Sequence, residues 1–518
     1  MLALVGAITA VGFLLRLPSF EDALYGDEIS TYYIVTGHSL GRVIDLLEGN
    51  SVELSPPLFF VLAWATEKLG DSAQLIRLGS LLAGTAAVPL TYLLGLRTVG
   101  RAAGLVGAAL VALSPFLIFY STEARAYALL MLLVLSSTLT LLRALETGRF
   151  HWWAAYAACS CAAIYTHQTS IFVLAAQCAW AFWTRPEARR ALLLANAAAA
   201  VAYLPWLPTV IDSTDSPGTK VIGTLQNFDL HAIRTDLERW SIGHPYLPVA
   251  TLPGRAAAAM LLAGLAAGLL GLALRVRDVA RDGGLPRPSA SLILILALAL
   301  ANPLSLAVYS SIGDSVWDAR NLTASTPALA LAIGALVTSA NWLLLRLAAV
   351  GLVVAALSIG AIRMLDSSSQ RPDYDAAARF VAEAWGPRDA LVEAPFFTPG
   401  PLTELGDVAL PHAQGAVPGR RRILRLGYPP LPAVLRAPPY APVPVQSGEA
   451  VARRAADLTR GGTLFVASPG APVRLETLGI GPLHDFYTAL PARLRQVETR
   501  SFSGFYPVTV YVFRDGGT

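Results

Sequence analysis

The sequence predicts an all-α polytopic membrane bundle of about eleven transmembrane helices, followed by a small C-terminal α/β domain on the extracytoplasmic side. Three observations favour this fold class. Of the 518 residues, 54% are hydrophobic and only 14% are charged, whereas a soluble domain carries roughly a quarter charged residues. The apolar residues come in blocks of about 17 to 25, the length at which a helix crosses a bilayer. After about residue 364 this block pattern ends.

Eleven apolar blocks define the predicted transmembrane domain, residues 1–363. Two long outer loops, 19–72 and 211–252, interrupt them, and we expect short amphipathic helices on the membrane surface there. The predicted spans are 1–18, 73–96, 102–120, 126–143, 152–166, 170–184, 191–210, 253–274, 289–311, 322–341 and 347–363.

The arginines predict the orientation of these spans. With a cytoplasmic N-terminus, the inner loops hold twelve arginines and the short outer loops hold only Arg125 and Arg320. Because cytoplasmic loops are enriched in Lys and Arg, this split places the long loops and residues 364–518 outside. The side of the tail depends on the count of spans, since one miscounted span would move it across. The inner arginines are Arg97, Arg101, Arg143, Arg149, Arg185, Arg189, Arg190, Arg275, Arg277, Arg281, Arg287 and Arg346.

Residues 364–518 are predicted to form a small soluble α/β domain. Residues 372–385 carry apolar side chains at helical spacing. The Pro-rich stretch from Tyr428 to Pro444 is typical of an extended connection. Runs rich in β-branched and aromatic residues, bounded by Gly, Pro and Asp, predict strands at 390–393, 463–466 and 508–513.

Ionisable residues recur in the predicted outer loops. Ionisable groups at membrane depth are costly, so they are functional candidates by default. Simpler interpretations remain open: an acidic pair can start a helix, arginines can meet lipid headgroups, and a histidine can be satisfied at the interface. The candidates are Asp27 and Glu28 in the first loop, Glu123 and Arg125 in the second, His167 in the third, and Asp318 and Arg320 in the fifth.

These residue types suit glycosyl transfer from a lipid phosphate. An acceptor hydroxyl needs a carboxylate to take its proton. The leaving phosphate needs arginines, or a divalent cation held by carboxylates, to stabilise its growing charge. Apolar grooves between helices would hold a polyprenyl tail. The sequence has no Walker A run, no dinucleotide fingerprint after a strand and no His-Glu-x-x-His motif, and no nucleic-acid partner is predicted.

Four stretches carry a resemblance to a known family. They are Gly26-Asp-Glu, Ser55-Pro-Pro-Leu, Glu123-Ala-Arg-Ala-Tyr and Tyr165-Thr-His. In this order they resemble the membrane glycosyltransferases of the C-type fold, in the bacterial branch related to protein O-mannosyltransferases and lipid A aminoarabinose transferases. The run from Arg320 to Pro327 is similar to the arginine-then-proline helix start of that family.

The resemblance implies a polyprenyl-phosphate-sugar donor, inversion at the anomeric carbon and catalysis on the extracytoplasmic face. Carried over, Asp27 would be the base, and Glu28 and Glu123 would help to bind Mg²⁺ or Mn²⁺ or the acceptor. Contact with the donor phosphate is expected from Arg125, Arg320, His167 and Tyr127. Ser55 stands where the family often has His before Pro-Pro, which leaves metal dependence open.

The function predicted from the sequence is therefore that of a bacterial inner-membrane glycosyltransferase, a hexosyl- or pentosyltransferase. Its expected partners are a polyprenyl-phosphate-linked sugar, a glycan, lipid or protein acceptor, and membrane lipids. Two alternatives stay open. A lipid or glycan transporter or flippase would place charges at mid-membrane within broken helices. A non-catalytic scaffold could keep the bundle without the chemistry.

Overall fold

The computed structural model describes residues 2–49, 53–214, 228–282, 284, 287–394, 422–426, 447–472 and 482–516. Up to residue 363 the regular elements among the described residues are α-helices, short 3₁₀ turns and the π-helical turn Ala250–Gly254. The α-helices are Leu2–Leu14, Leu17–Phe20, Asp27–Val35, Leu40–Glu48, Leu58–Glu67, Leu78–Thr98, Arg101–Leu113, Pro115–Tyr120, Tyr127–Thr147, Phe150–Thr166, Ser170–Thr184, Arg189–Tyr203, Leu207–Thr214, Leu230–Ile242, Arg255–Arg281, Ala290–Ile312, Thr326–Val337 and Leu343–Arg363.

Six helical segments within the described ranges are long and apolar enough to cross a membrane, as expected of an integral membrane protein. Four further apolar helices are shorter: Leu2–Leu14, Leu58–Glu67, Arg101–Leu113 and Ser170–Thr184. The predicted count of eleven spans is therefore not confirmed. One cause is local: the block predicted at 102–120 breaks at Ser114, whose side chain caps a new helix that starts at Pro115. The six segments are Ala73–Thr98, Tyr127–Thr147, Pro186–Asp212, Ala250–Arg281, Ala290–Ile312 and Leu343–Arg363.

Glycines allow the helices around the bundle centre to approach closely. A Cβ atom on Gly95 would lie 2.4 Å from the Cα of Gly104, and one on Gly334 would lie 2.5 Å from the carbonyl oxygen of Ala103. Small residues at such crossings let backbones pack directly, the usual way in which membrane helices associate. This contact joins Leu78–Thr98, Arg101–Leu113 and Thr326–Val337 into one unit.

The described part of the C-terminal region is a five-stranded mixed sheet with helices. Its strands, numbered β1 to β5 in chain order, are Ala390–Glu393, Ile423–Arg425, Thr463–Pro469, Leu494–Phe502 and Val508–Asp515. In the order β2-β1-β3-β5-β4, β1 is parallel to β2 and β3, and β5 is antiparallel to β3 and β4. The strands predicted at 390–393, 463–466 and 508–513 are confirmed as β1, β3 and β5, and the predicted helix as Tyr374–Glu383. The connection predicted at 428–444 lies outside the described residues.

The prediction missed β2, β4 and the helices Gly448–Leu458 and Pro482–Thr488. In β4 most residues are exposed, so the alternation that marks a half-buried strand is absent from its sequence. Only hydrogen bonding to β5 makes this segment a strand.

The sheet has two faces with different neighbours. One face packs on the helix Gly448–Leu458 through Val392, Leu464 and Val451. On the other, Phe465 and Val510 share a hydrophobic core with residues of the first predicted outer loop, among them Leu24, Ile29 and Phe59. This face of the sheet thus packs against the loop that carries Asp27 and Glu28.

Candidate active site

Asp27 is the first residue of the helix Asp27–Val35. Gly26 precedes it with φ 59°, a conformation that favours glycine, and turns the chain so that the helix starts at the acidic pair. An Oδ2 atom of Asp27 accepts a hydrogen bond of 2.9 Å from Nη1 of Arg320, and 45% of the Asp27 side chain is exposed. Burial raises the pKa of Asp27, but Arg125 and Arg320 outweigh it, so the pKa lies below its ordinary value. Asp27 is therefore an ionised, reachable carboxylate.

Glu28 has a different environment, although it is the next residue. Its carboxylate is fully buried and accepts hydrogen bonds from Nε and Nη2 of Arg77, at 2.6 and 2.7 Å. The backbone N–H of Ala124 donates to it at 2.8 Å, and Nε of Arg371 lies 3.1 Å from it. Burial alone would raise the pKa of Glu28, but Arg371 and Arg77 lower it below its ordinary value. Glu28 is a permanently charged anchor.

The two arginines around Glu28 connect distant parts of the chain. Arg77 also donates to the carbonyl oxygens of Phe20, Asp22 and Ala23, and so closes the start of the first loop. From beyond the last helix of the bundle, Arg371 donates to the carbonyl oxygen of Thr122 at 2.9 Å, and its guanidinium lies 4.6 Å from the ring centre of Phe119. Through Arg77 and Arg371, Glu28 thus links two predicted outer loops to the C-terminal region.

Arg125 is paired with a carboxylate that the sequence prediction missed. Its Nη1 and Nη2 donate to the two oxygens of Glu53 at 2.6 and 3.1 Å, and Nη2 lies 3.4 Å from the Ser55 hydroxyl. Such a two-pronged contact fixes the plane of the guanidinium. The only signal of Glu53 in the sequence was its position two residues before the Ser55-Pro-Pro stretch. Arg125 is therefore nearly buried and oriented, rather than free to meet lipid headgroups.

Glu123 is a buried acid with an unsatisfied oxygen. Its Oε2 atom has no hydrogen-bond partner among the described residues, and the residue is only 5% exposed. Burial, followed by repulsion from Glu28, raises the pKa of Glu123 to about 8, although Arg371 partly offsets this. At neutral pH Glu123 is therefore mostly protonated and can donate or accept a hydrogen bond.

His167 lies beside Tyr127 and near both arginines. Burial, together with Arg125 and Arg320, lowers the pKa of His167 to about 3, so the ring is neutral at physiological pH. The backbone N–H of Thr169 donates to Nδ1, which leaves the proton of the neutral ring on Nε2. The ring centre of Tyr127 lies 5.7 Å away. His167 can thus offer one N–H donor, but no positive charge, to an anion.

The structure brings six of the sequence-predicted residues close together, in a group of side chains that is called the recess below: Asp27, Glu123, Arg125, Tyr127, His167 and Arg320. Glu28 is enclosed beside this group. Arg125 and Arg320 act on both Asp27 and His167, and Tyr127 interacts electrostatically with both arginines. Arg320 is 29% exposed and is also held by Asp318 at 3.1 Å. The bundle gathers residues from the first, second, third and fifth predicted loops, which no local sequence signal could ensure.

The residues present do not fit a divalent cation well. Of the two predicted metal ligands, Glu28 is enclosed by Arg77 and Arg371, so a metal would have to displace an arginine; the geometry does not support its prediction as a ligand. Glu123 has a buried oxygen without a hydrogen-bond partner among the described residues, but its carboxyl is mostly protonated and Arg125 interacts with it. Within the described ranges, no three His, Cys, Asp or Glu side chains form a metal-binding group.

An apolar groove begins close to the recess. About 530 Å³ in volume, it runs between the helices Leu58–Glu67, Phe150–Thr166 and Arg189–Tyr203. Its lining includes Pro57, two residues after Ser55, and Tyr165, two residues before His167. The rest of the lining is mainly alanine, with Leu58, Val61 and Cys161. The groove is therefore a mainly apolar surface whose lining includes near neighbours, in sequence, of Ser55 and His167.

Comparisons with known proteins concern the fold and one stretch of the sequence. Residues 55–211, less than a third of the chain, match the family model described as dolichyl-phosphate-mannose-protein mannosyltransferase. The oligosaccharyltransferase of Archaeoglobus fulgidus, tethered with an acceptor peptide, matches with a TM-score of 0.50 at 13% identity, over 92% of this chain and 69% of that chain. ArnT from Cupriavidus metallidurans bound to undecaprenyl phosphate covers 98% of this chain and 97% of its own, at 14% identity and a TM-score of 0.44. No curated protein matches the sequence.

The protein has the C-type fold of membrane glycosyltransferases. The resemblance predicted from the sequence is thereby confirmed, for the fold over most of the chain and for the mannosyltransferase-like family model over residues 55–211.

Proposed function

We propose that this chain is an inverting glycosyltransferase that moves a sugar from a polyprenyl-phosphate-sugar donor to an extracytoplasmic acceptor. One observation carries the proposal: an ionised, reachable carboxylate, two oriented arginines and a neutral histidine share one recess next to an apolar groove. The recess would bind the phosphate and the sugar of such a donor, and the apolar groove would bind its polyprenyl chain. Neither the sugar nor the nature of the acceptor, whether glycan, lipid or protein, follows from it.

The reaction can be written with the residues of the recess. The acceptor oxygen attacks the anomeric carbon of the donor, and its proton passes to Asp27. The bond between that carbon and the phosphate oxygen breaks, and the electron pair stays on the phosphate. Arg320 and the Nε2–H of His167 stabilise the charge that develops there. The positive charge of Arg125, which Glu53 orients, stabilises the same charge from nearby.

The contact between Asp27 and Arg320 determines the order of donor binding and acceptor activation. In the described structure Arg320 holds the carboxylate and lowers its pKa, which makes Asp27 a weak base. A donor phosphate would compete for the same guanidinium. When Arg320 turns to the phosphate, Asp27 loses its partner and becomes a stronger base. Donor binding therefore precedes activation of the acceptor.

Turnover of defined donors tests the proposal. The purified protein in detergent is given a panel of polyprenyl-phosphate sugars, and release of polyprenyl phosphate is measured. Asp27→Asn should lower turnover by about two to four orders of magnitude with donor binding nearly intact. Asp45→Asn makes the same change on an exposed face of the next helix and should have no effect.

Two outcomes would contradict the proposal. Near-normal turnover in Asp27→Asn would remove Asp27 from the mechanism. If the wild type neither turns over nor binds any donor, but moves polyprenyl phosphate across proteoliposomes, the chain is a transporter. Metal dependence is a separate prediction from the family resemblance: activity that survives thorough EDTA treatment without response to Mg²⁺ or Mn²⁺ would agree with the poor fit of the site to a cation.

A further inference from the structure

An aromatic cluster forms one wall of the recess, and its members come from four separate parts of the chain. Tyr246 stacks on Phe505 with ring centres 4.8 Å apart and an interplanar angle of 5°. Tyr25 meets Phe505 edge-on at 5.2 Å and Tyr246 at 5.8 Å. Phe119 and His244 complete the cluster, with their ring centres 5.2 Å apart and that of Phe119 6.0 Å from that of Phe505. Phe505 belongs to the connection between β4 and β5, so the C-terminal sheet contributes directly to this wall.

Tyr246 is stacked on one side only and lies near the catalytic groups. One face of its ring is covered by Phe505, yet 44% of the residue is exposed. Burial, then Glu123 and Asp27, raises the pKa of Tyr246, and Arg320 partly offsets this. The hydroxyl group therefore lies within the electrostatic reach of the residues that are proposed to carry the chemistry.

Phe505 is held in place by its backbone. Its N–H donates to the carbonyl oxygen of Gln370 at 2.8 Å, and the N–H of Asp373 donates to that of Ser503 at 3.0 Å. Gly504, between them, has φ 140°, and a Cβ atom there would lie 2.7 Å from the Cα of Pro372. The connection is thus locked to the segment that carries Arg371, which lies 3.1 Å from Glu28. Through Arg371, the buried carboxylate of Glu28 therefore positions both the first loop, which carries Asp27, and the connection that carries Phe505.

The wall is separate from the parts of the site that suit the donor. The donor phosphate is assigned to Arg320 and His167, and the lipid chain to the apolar groove. The groove residue Tyr165 makes its ring contact with Tyr203, outside the wall. A flat aromatic surface beside a catalytic carboxylate suits a sugar ring, because one side of such a ring is a patch of C–H groups and the face of an aromatic ring is electron-rich.

We infer that Tyr246 and Phe505 form the acceptor subsite, that its ligand is the ring face of a sugar, and that Phe505 makes the C-terminal sheet a determinant of acceptor choice. This inference rests on the proposed function.

Partition between transfer and hydrolysis tests it. The full-length protein is given a donor that it turns over, with methyl glycosides of common hexoses as acceptor probes and water as the competing acceptor. Phe505→Ala should lower the ratio of transfer to hydrolysis about tenfold, because water needs no aromatic surface and a sugar ring does. Phe505→Tyr should restore the ratio. Phe502→Ala is the matched control, since Phe502 lies on β4 and contacts Phe380 outside the wall.

Each outcome decides between the two proposals. An unchanged ratio in Phe505→Ala, or an equal loss in Phe502→Ala, overturns the acceptor subsite while leaving a working glycosyltransferase. A wild type that hydrolyses the donor but transfers to none of the methyl glycosides overturns recognition of a sugar ring. A wild type that turns over no donor at all refutes the proposed function itself.

Discussion

Replacement of Glu28 by glutamine removes one negative charge from a site that holds two arginines. Both Glu28 and Arg77 have fully buried side chains, and Arg371 is only 1% exposed. Loss of one partner from a buried ion pair leaves uncompensated charge in a low-dielectric interior and costs about 3–5 kcal/mol. The amide of glutamine can accept from one arginine but cannot neutralise either. We therefore expect Glu28→Gln to act mainly by lowering the stability of the folded protein.

The neighbouring Asp27→Asn provides the contrast. Asp27 is 45% exposed and its partner Arg320 is 29% exposed, so solvent screens this pair, and we expect a loss of less than about 1 kcal/mol. Asp27→Asn should thus lower turnover by about two to four orders of magnitude with little loss of stability. Glu28→Gln should lower the melting temperature by roughly 3–5 °C. Adjacent acids of the same loop would then separate into a chemical and a structural role.

Thermal unfolding in detergent, followed by tryptophan fluorescence, measures both variants beside donor turnover. Glu146→Gln, which breaks an exposed pair with Arg143, is the matched control and should stay within about 1 kcal/mol of wild type. Because Glu28 and Arg371 act on one another, the double variant Glu28→Gln, Arg371→Gln should lose less than the sum of the single variants. If Glu28→Gln melts no lower than Asp27→Asn, the anchor role is refuted.

Three further predictions concern orientation, the phosphate contact and pH. A cysteine at Ser447 should react with an impermeant thiol reagent from outside intact cells, and one at Gly284 only after permeabilisation; the reverse pattern would contradict the orientation. Arg320→Lys should weaken donor use, Arg320→Ala should weaken it more, and the double Arg125/Arg320 variant should be non-additive. Mild and additive effects on donor KM would refute a shared phosphate contact. The pKa of Glu123 is raised from 4.5 to about 8, so its contribution to stability is full below pH 4.5 and is lost as the pH rises to about 8. The unfolding midpoint of Glu123→Gln should therefore lack this decrease between pH 4.5 and 8. An equal decrease in the variant and the wild type would refute the raised pKa of Glu123.

The elements that could be predicted are those whose signal is local. Apolar blocks mark membrane helices because each such helix must bury its own backbone bonds in lipid. The alternating or apolar runs of β1, β3 and β5 mark strands, whereas exposed β4 has no such signal. Acids, arginines and a histidine at the ends of helices pointed to Asp27, Glu123, Arg125, His167 and Arg320, since charge at that depth is costly without a use.

What only the tertiary structure decided is the partner of each of these groups. Asp27 and Arg320 are 293 residues apart in the sequence, and Arg125 lies 72 residues from Glu53. Nothing local distinguishes an acid that faces a recess from one enclosed by two arginines, so Asp27 and Glu28 looked alike. The contribution of Phe505 also depends on how the sheet is seated on the first loop. Sequence by itself determined which chemical groups reach one face of the bundle. Packing determined which of them are charged, exposed and able to react, because burial and neighbouring charges set both the pKa and the access of each group.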